Sequence, residues 1–140
     1  MKASLLYRIA SVLLLLFATA HTLGFRQTDP AWRVDSLMAS MRSIHFDLQG
    51  FSRSYWDIFT AFGLFFSVFL LFAAVLAWQL GGLPPEIFAR VRATAWALAI
   101  SFVAVTALSL KYAFTAPIVL STLITMCLIA APWLRAKKPV

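Results

Sequence analysis

Long apolar runs separated by short polar interruptions organise this chain, and the length of the runs carries the first inference. Between residues 55 and 80 there is a single ionisable side chain, Asp57, with Trp56 near one end and Trp78 near the other. About 20 apolar residues suffice for a helix to cross a hydrocarbon core of roughly 30 Å. From Trp56 to Trp78 is 22 residues, or about 33 Å of helix at 1.5 Å per residue, which sets both indoles at interfacial depth. Three more apolar runs occupy residues 5–25, 93–114 and 117–134. The pattern predicts an all-α, membrane-embedded four-helix bundle, and the chain reads as a single integral membrane domain over residues 1–140.

The polar interruptions predict how the spans are joined. Residues 26–53 form the longest insert. Asp29-Pro30 has the form of an N-cap followed by proline at the first helical position. Val34, Leu37, Met38, Met41, Ile44, His45 and Leu48 then recur at helical spacing, with Arg33, Asp35, Ser36, Ser40, Arg42, Ser43 and Asp47 opposite. That periodicity predicts an additional amphipathic interfacial helix over about residues 30–48, between spans one and two, with Gly50 as its stop. Span two opens on Ser54-Tyr55-Trp56-Asp57, an S-x-x-D arrangement in which serine and aspartate can satisfy first-turn backbone groups reciprocally. It closes at Gly81-Gly82, and Pro84-Pro85 turns the chain into residues 86–92, the expected first turn of span three. Lys111, Tyr112 and the break before Pro117 end that span, and Arg135, Lys137 and Lys138 stop the fourth.

Span one resembles a secretory leader in part: Lys2 and Arg8 precede an apolar stretch, and Ala18-Thr19-Ala20 is an A-x-A pattern. Cleavage there would make His21 an amino terminus, an arrangement that can bind copper. The late position of Arg8, the apolar character through Leu23 and Phe25, and the even number of spans favour an uncut helix.

Composition agrees with the pattern. Hydrophobic residues make up 62% of the chain and charged ones 12%, against about 45–50% and 25% in soluble domains. The net charge of +7 would elsewhere suggest nucleic acid. Here the basic residues flank the apolar runs, where they contact headgroups and orient the spans, so membrane lipids rather than nucleic acid are the implied partners. With four spans, Lys2, Arg8, Arg90, Arg92, Arg135, Lys137 and Lys138 share one side with a single acid, Glu86. Arg26, Arg33, Arg42, Arg53 and Lys111 share the other with Asp29, Asp35, Asp47 and Asp57. This bias predicts both termini in the cytoplasm. Stripes of small residues four apart (Gly63 and Ser67; Ala73 and Ala77; Ala93, Ala97 and Ser101; Ser121 and Thr125) mark expected helix contacts.

Candidate chemistry is sparse. His21, His45, Trp56 and Asp57 all fall on the insert side and define the candidate ligand-binding site, a shallow pocket for a proton, a metal or a polar ligand head. The competing interpretation is three unrelated interfacial residues: two histidines snorkelling or hydrogen-bonding backbone, and one helix-capping aspartate. No H-x-x-x-H or H-E-x-x-H spacing is present, although two histidines on different helices can also ligate haem. Cys127, alone in an apolar run, reads as a small buried hydrophobe, Lys111 as an interfacial anchor, and the helix-borne Ser and Thr hydroxyls as donors to backbone carbonyls. No catalytic motif is visible, and no cofactor is indicated.

His21-Thr22-Leu23-Gly24-Phe25, Met41-Arg42-Ser43-Ile44-His45-Phe46-Asp47, Ser54-Tyr55-Trp56-Asp57, Phe62-Gly63-Leu64 and Ala77-Trp78-Gln79-Leu80-Gly81 resemble a family of small, uncharacterised bacterial integral membrane proteins with about four transmembrane helices. The likeness covers most of residues 15–82 and weakens beyond. It implies the bacterial inner membrane and lends no activity or cofactor. The sequence therefore supports a multi-pass protein that binds a lipid, quinone or other apolar molecule near His21, His45, Trp56 and Asp57. A membrane oxidoreductase or metal or haem protein using the same histidines, and a transporter subunit or assembly partner, stay open as alternatives. Self-association into a homo-oligomer stays open with them.

Overall fold

The computed structural model describes residues 2–136 and is all-α apart from one short hairpin. Its elements are α1 (Lys2–Gly24), a single 3-10 turn (Pro30–Trp32), α2 (Asp35–Ser43), β1 (His45–Leu48), β2 (Phe51–Ser54), α3 (Tyr55–Gly82), α4 (Pro85–Arg90), α5 (Arg92–Tyr112) and α6 (Thr115–Ala136). α1, α3, α5 and α6 are each long and apolar enough to cross a membrane, and each coincides with an expected span. The chain is a multi-pass membrane protein. Contacts group it into two compact units: the residues up to 18 together with those from 70 onward, and Thr19–Phe69.

In the first unit, α1 and the last third of α3 run antiparallel. The Ser4 hydroxyl donates to the Gly81 carbonyl, and the Ser11 hydroxyl donates to the Ala74 carbonyl at 2.8 Å. The contact face of α1 is Ala3, Tyr7, Ala10, Ser11 and Leu14, at spacings of three and four; α3 offers Leu70, Ala73, Ala74 and Ala77. With mostly alanine on α3, the two backbones come close enough for a serine to reach across. In lipid, where apolar faces gain little from meeting each other, such packing and polar bonds supply the association. α5 and α6 form a second hairpin, joined at mid-depth by the Thr106 and Thr125 hydroxyls 2.9 Å apart and by Thr125 donating to the Phe102 carbonyl at 2.9 Å. The hydroxyls thus do bond backbone carbonyls, several of them on a neighbouring helix.

Not every expected stripe is a contact. Ser67, Ala73, Ala77, Ser121 and Thr125 are buried, but Ala93, Ala97 and Ser101 face outward. α5 packs instead through Ala95, Leu98, Ala99 and Phe102. Two stripes of comparable size lie on this helix, and the larger buried areas of Leu98 and Phe102 select the second. Residues 86–92 also depart from expectation. Pro85–Arg90 form a separate short helix, α4, because Val91 leaves helical geometry (φ −104°, ψ 16°) before α5 begins at Arg92. Lys137 and Lys138, counted in the charge bias, lie outside the described residues.

The largest difference is in the insert. The amphipathic helix expected over 30–48 is realised only as Asp35–Ser43. Asp29 caps as anticipated, accepting from the Ala31 amide at 2.8 Å, but Arg33 adopts a left-handed conformation (φ 52°) that ends the turn after three residues. Beyond Ser43 the chain is an antiparallel hairpin in which His45 pairs with Ser54 and Leu48 with Phe51. Gln49 (φ 57°) and Gly50 (φ 89°) supply its two-residue turn. Positive φ at both central positions gives the twist that a tight hairpin needs, and Asp47 accepts from the Gly50 amide at 3.0 Å. Gly50 is thus a turn residue rather than a helix stop.

At the C-terminal end of α3, carbonyls without intrahelical partners are met by side chains. Arg135 of α6 donates to the carbonyls of Leu83 (3.0 Å) and Gly81 (3.3 Å), while its guanidinium lies 4.3 Å over the Phe88 ring. A cation is favourable at a helix C-terminus, and the planar guanidinium can serve both acceptors at once. Gly81 leaves room for α1 on the same turn: a Cβ there would meet Tyr7 Cβ at 3.1 Å and the Ser4 carbonyl at 3.3 Å. Replacing Arg135 by leucine is expected to lower stability in detergent by about 1–3 kcal/mol, the usual loss for charged hydrogen bonds. Arg135→Lys should recover only part, since an ammonium lacks the fork. Unfolding monitored by circular dichroism measures both, and an undiminished Arg135→Leu variant would mean that water satisfies these carbonyls.

Candidate functional site

All four candidate residues lie in the Thr19–Phe69 unit, and the structure gives each of them defined neighbours. Ser54 ends β2 and α3 begins at the next residue, so the hairpin delivers a serine to the N-cap position. Its backbone amide and its hydroxyl both donate to Asp57 Oδ2 at 2.9 Å, and the Asp57 amide donates back to Ser54 Oγ at 3.2 Å. This is a complete capping box with aspartate in the glutamate's place. Ser54 is buried while Asp57 is exposed, so the carboxylate keeps an open side toward Arg53 and His45, both within electrostatic reach.

His45 stands in β1 opposite Ser54, not on the apolar face of a helix as the periodicity implied. Its Nδ1 donates to the Ser43 carbonyl at 3.0 Å. A carbonyl only accepts, so Nδ1 carries a proton. Trp56 lies in the first turn of α3 beneath the Arg42 guanidinium, which stands 4.3 Å from the ring centroid. The hairpin and α2 therefore gather Arg42, His45, Ser54, Trp56 and Asp57 around the start of α3.

His21 belongs deeper. Its Nε2 donates to the Gly63 carbonyl at 3.1 Å, and Gly63 is six residues beyond Asp57, about 9 Å along the helix. The imidazole is stacked on Phe25 (5.1 Å, 11°) and meets the edge of Phe66 (5.0 Å, 85°). Gly63 makes this possible, because a Cβ there would collide with the Phe25 ring. One helical turn on, the Thr22 hydroxyl donates to Ser67 Oγ at 2.8 Å and Ser67 donates to the Gly63 carbonyl. Gly63 O therefore accepts from both an imidazole and a hydroxyl.

The aromatic rings link the two levels. From Trp56 the contacts pass to Phe59 (5.6 Å), Phe25 (5.7 Å), His21 and Phe66, and on to Phe69 (6.2 Å). Phe66 and Phe69 are half-buried, whereas Phe62 and Phe65 point outward at 68% and 66% exposure. With Phe72 also 62% exposed, this divides the phenylalanines of α3 into a column and an outward-facing set of three. The column was not evident beforehand, because it borrows Phe25 and His21 from a distant stretch of sequence.

Each histidine thus gives one nitrogen to a backbone carbonyl, His45 to Ser43 before the hairpin and His21 to Gly63 within α3. Among the described residues, no three His, Cys, Asp or Glu side chains gather closely enough to hold a metal ion. Cys127 is a free, half-buried thiol on α6. Shallow concavities lie elsewhere, against the first third of α1, lined by Lys2, Ser4, Leu5 and Arg8 and by Arg8, Ile9, Val12 and Leu13. Comparison with protein-family models, with curated proteins and with solved structures returned no match, so the reading of this site rests on its geometry.

The capping box yields a sharp expectation. Ser54→Ala should cost about 1 kcal/mol of stability, as N-cap removal generally does. Asp57→Ala should destabilise in the same direction, and the double variant should lose less than the sum, since both changes open one box. Denaturant unfolding of the four proteins measures this. Strict additivity would show that the two side chains act separately.

Proposed function

We propose that this chain is a multi-pass binding protein of the bacterial inner membrane, with both termini cytoplasmic, belonging with the small four-span proteins that its first half resembles. Its ligand is a lipid, a quinone or another apolar molecule with a polar head. The head sits against Trp56, Asp57 and His45, and the apolar body runs toward His21 along the rings of α3. Ligand sites are usually apolar surfaces with a few convergent polar groups at one end, and this segment has that layout.

One observation carries the reading: a continuous aromatic column from Trp56 through Phe59, Phe25 and His21 to Phe66, topped by the Arg42–Trp56 pair and the Ser54–Asp57 box. Phe59, though part of the column, is 41% exposed, and covering it with a ligand removes apolar surface, at about 25 cal/mol per Å², wherever water reaches it. The insert supports an interfacial setting. Arg26, Arg42 and Arg53 each stand over a ring, at 5.2, 4.3 and 5.3 Å from Phe25, Trp56 and Phe51 respectively. Trp32, Leu37, Ile44, Leu48 and Phe51 are exposed, which suits a helix and hairpin lying in the headgroup layer.

Native mass spectrometry of the full chain in mild detergent, followed by solvent extraction, tests the proposal. The expected result is one retained apolar molecule, with occupancy falling about tenfold in Trp56→Ala, as removal of an aromatic anchor generally does. A protein that carries no such molecule, or a Trp56→Ala variant that carries it equally, contradicts the reading.

A further inference from the structure

A second feature lies at the start of α1, in the unit that does not contain the candidate site. Arg8 stacks on Trp78, its guanidinium carbon 3.5 Å from the ring centroid, which holds the cation at the depth of an interfacial tryptophan. Its Nη1 is enclosed and has no hydrogen-bond partner among the described residues. A guanidinium offers five donors, and the Arg8 side chain is only partly buried, so an anion can reach donors other than this enclosed one. The Arg8 side chain borders two shallow concavities. One, of about 630 Å³, is walled by Lys2, Ser4, Leu5 and Arg8; the other, of about 260 Å³, by Arg8, Ile9, Val12 and Leu13.

The two concavities differ in chemistry in the order a phospholipid requires. The first carries two cations. The second, one to two turns further into the span, is apolar, with Ile9 and Val12 outward-facing at 41% and 51% exposure. The charge balance is one-sided: in the residues up to 18 and from 70 onward, Glu86 is the only acid, against Lys2, Arg8, Arg90, Arg92 and Arg135 among those described, with Lys111 in the last turn of α5. Arg135 is already committed to the carbonyls of Gly81 and Leu83. Arg8 has no such engagement through Nη1.

We infer that this end of α1 binds one anionic phospholipid. Its phosphate faces the Lys2 ammonium and the Arg8 guanidinium, and an acyl chain follows Ile9, Val12 and Leu13. The inference rests on the membrane-spanning reading of α1, and it is independent of a ligand at Trp56.

The test is native mass spectrometry of the full chain in detergent, titrated with phosphatidylglycerol or with phosphatidylcholine of the same acyl chains. The wild type should retain one phosphatidylglycerol in preference to phosphatidylcholine by about tenfold, the scale of a charged hydrogen bond. Lys2→Glu, an exposed position whose change spares the core, and Arg8→Gln should each remove most of that preference. Val12→Trp should weaken retention of both lipids by filling the groove without changing charge. Soluble glycerol phosphate in excess should not displace the lipid, whereas Trp56→Ala should leave the preference for phosphatidylglycerol over phosphatidylcholine unchanged. Equal binding of the two lipids, or an unaltered preference in Lys2→Glu, overturns the site. Displacement by glycerol phosphate overturns the acyl-chain contact, and loss of the preference in Trp56→Ala places the anionic lipid elsewhere.

Discussion

A helix in hydrocarbon satisfies its own backbone everywhere except at its two ends, and there the chain must find donors and acceptors or leave them in water. α3 illustrates the constraint most fully. At its start, Ser54 and Asp57 exchange three hydrogen bonds. At its finish, Ser4 and Arg135 donate to Gly81, and Arg135 reaches Leu83 as well. Both arrangements draw in neighbouring segments: the hairpin that supplies Ser54, and the helices that supply Ser4 and Arg135.

The same requirement decides what is and is not a site. Asp57, as an ionisable group in an apolar run, invites a functional interpretation, yet its Oδ2 is fully occupied by helix capping. His45 bonds the Ser43 carbonyl and His21 the Gly63 carbonyl, so each histidine is fixed in tautomer and direction by backbone. What remains for a ligand is the surface these groups organise: rings below, and a carboxylate edge, an imidazole nitrogen and Arg42 above. Glycine has an equally specific part in it. Gly63 lets Phe25 lie flat against α3, and without that approach His21 would not reach the carbonyl.

Much of this was legible in the residues. Four spans follow from run length alone, since nothing else accommodates four apolar stretches in 140 residues. The Ser54–Asp57 box follows from its spacing. The failures have physical causes. Val34, Leu37, Met38 and Met41 repeat at helical spacing and do form a helix, but Ile44, His45 and Leu48 extend the same period by coincidence. The decisive signal was the pair Gln49-Gly50 centred between two four-residue stretches, a hairpin signature that was outweighed by periodicity. On α5, small-residue spacing pointed to Ala93, Ala97 and Ser101, whereas the buried face is set by the bulk of Leu98 and Phe102. The aromatic column could not be read in advance, because it depends on which turn of α1 meets Gly63.

The central claim is that α3 crosses a bilayer with Phe62, Phe65, Val68, Phe72 and Val75 toward lipid, all of them more than half exposed in the structure. Spin labels at single cysteines on a Cys127→Ala background, in reconstituted vesicles, test it most directly. Labels at residues 62, 68 and 75 should be relaxed strongly by oxygen and weakly by a water-soluble nickel complex, with the oxygen preference greatest at 68. A label at Leu48 in the hairpin should show the reverse. Relaxation by nickel at Val68 as strong as at Leu48 would contradict a membrane-spanning α3, and with it the reading of the ends as interfacial.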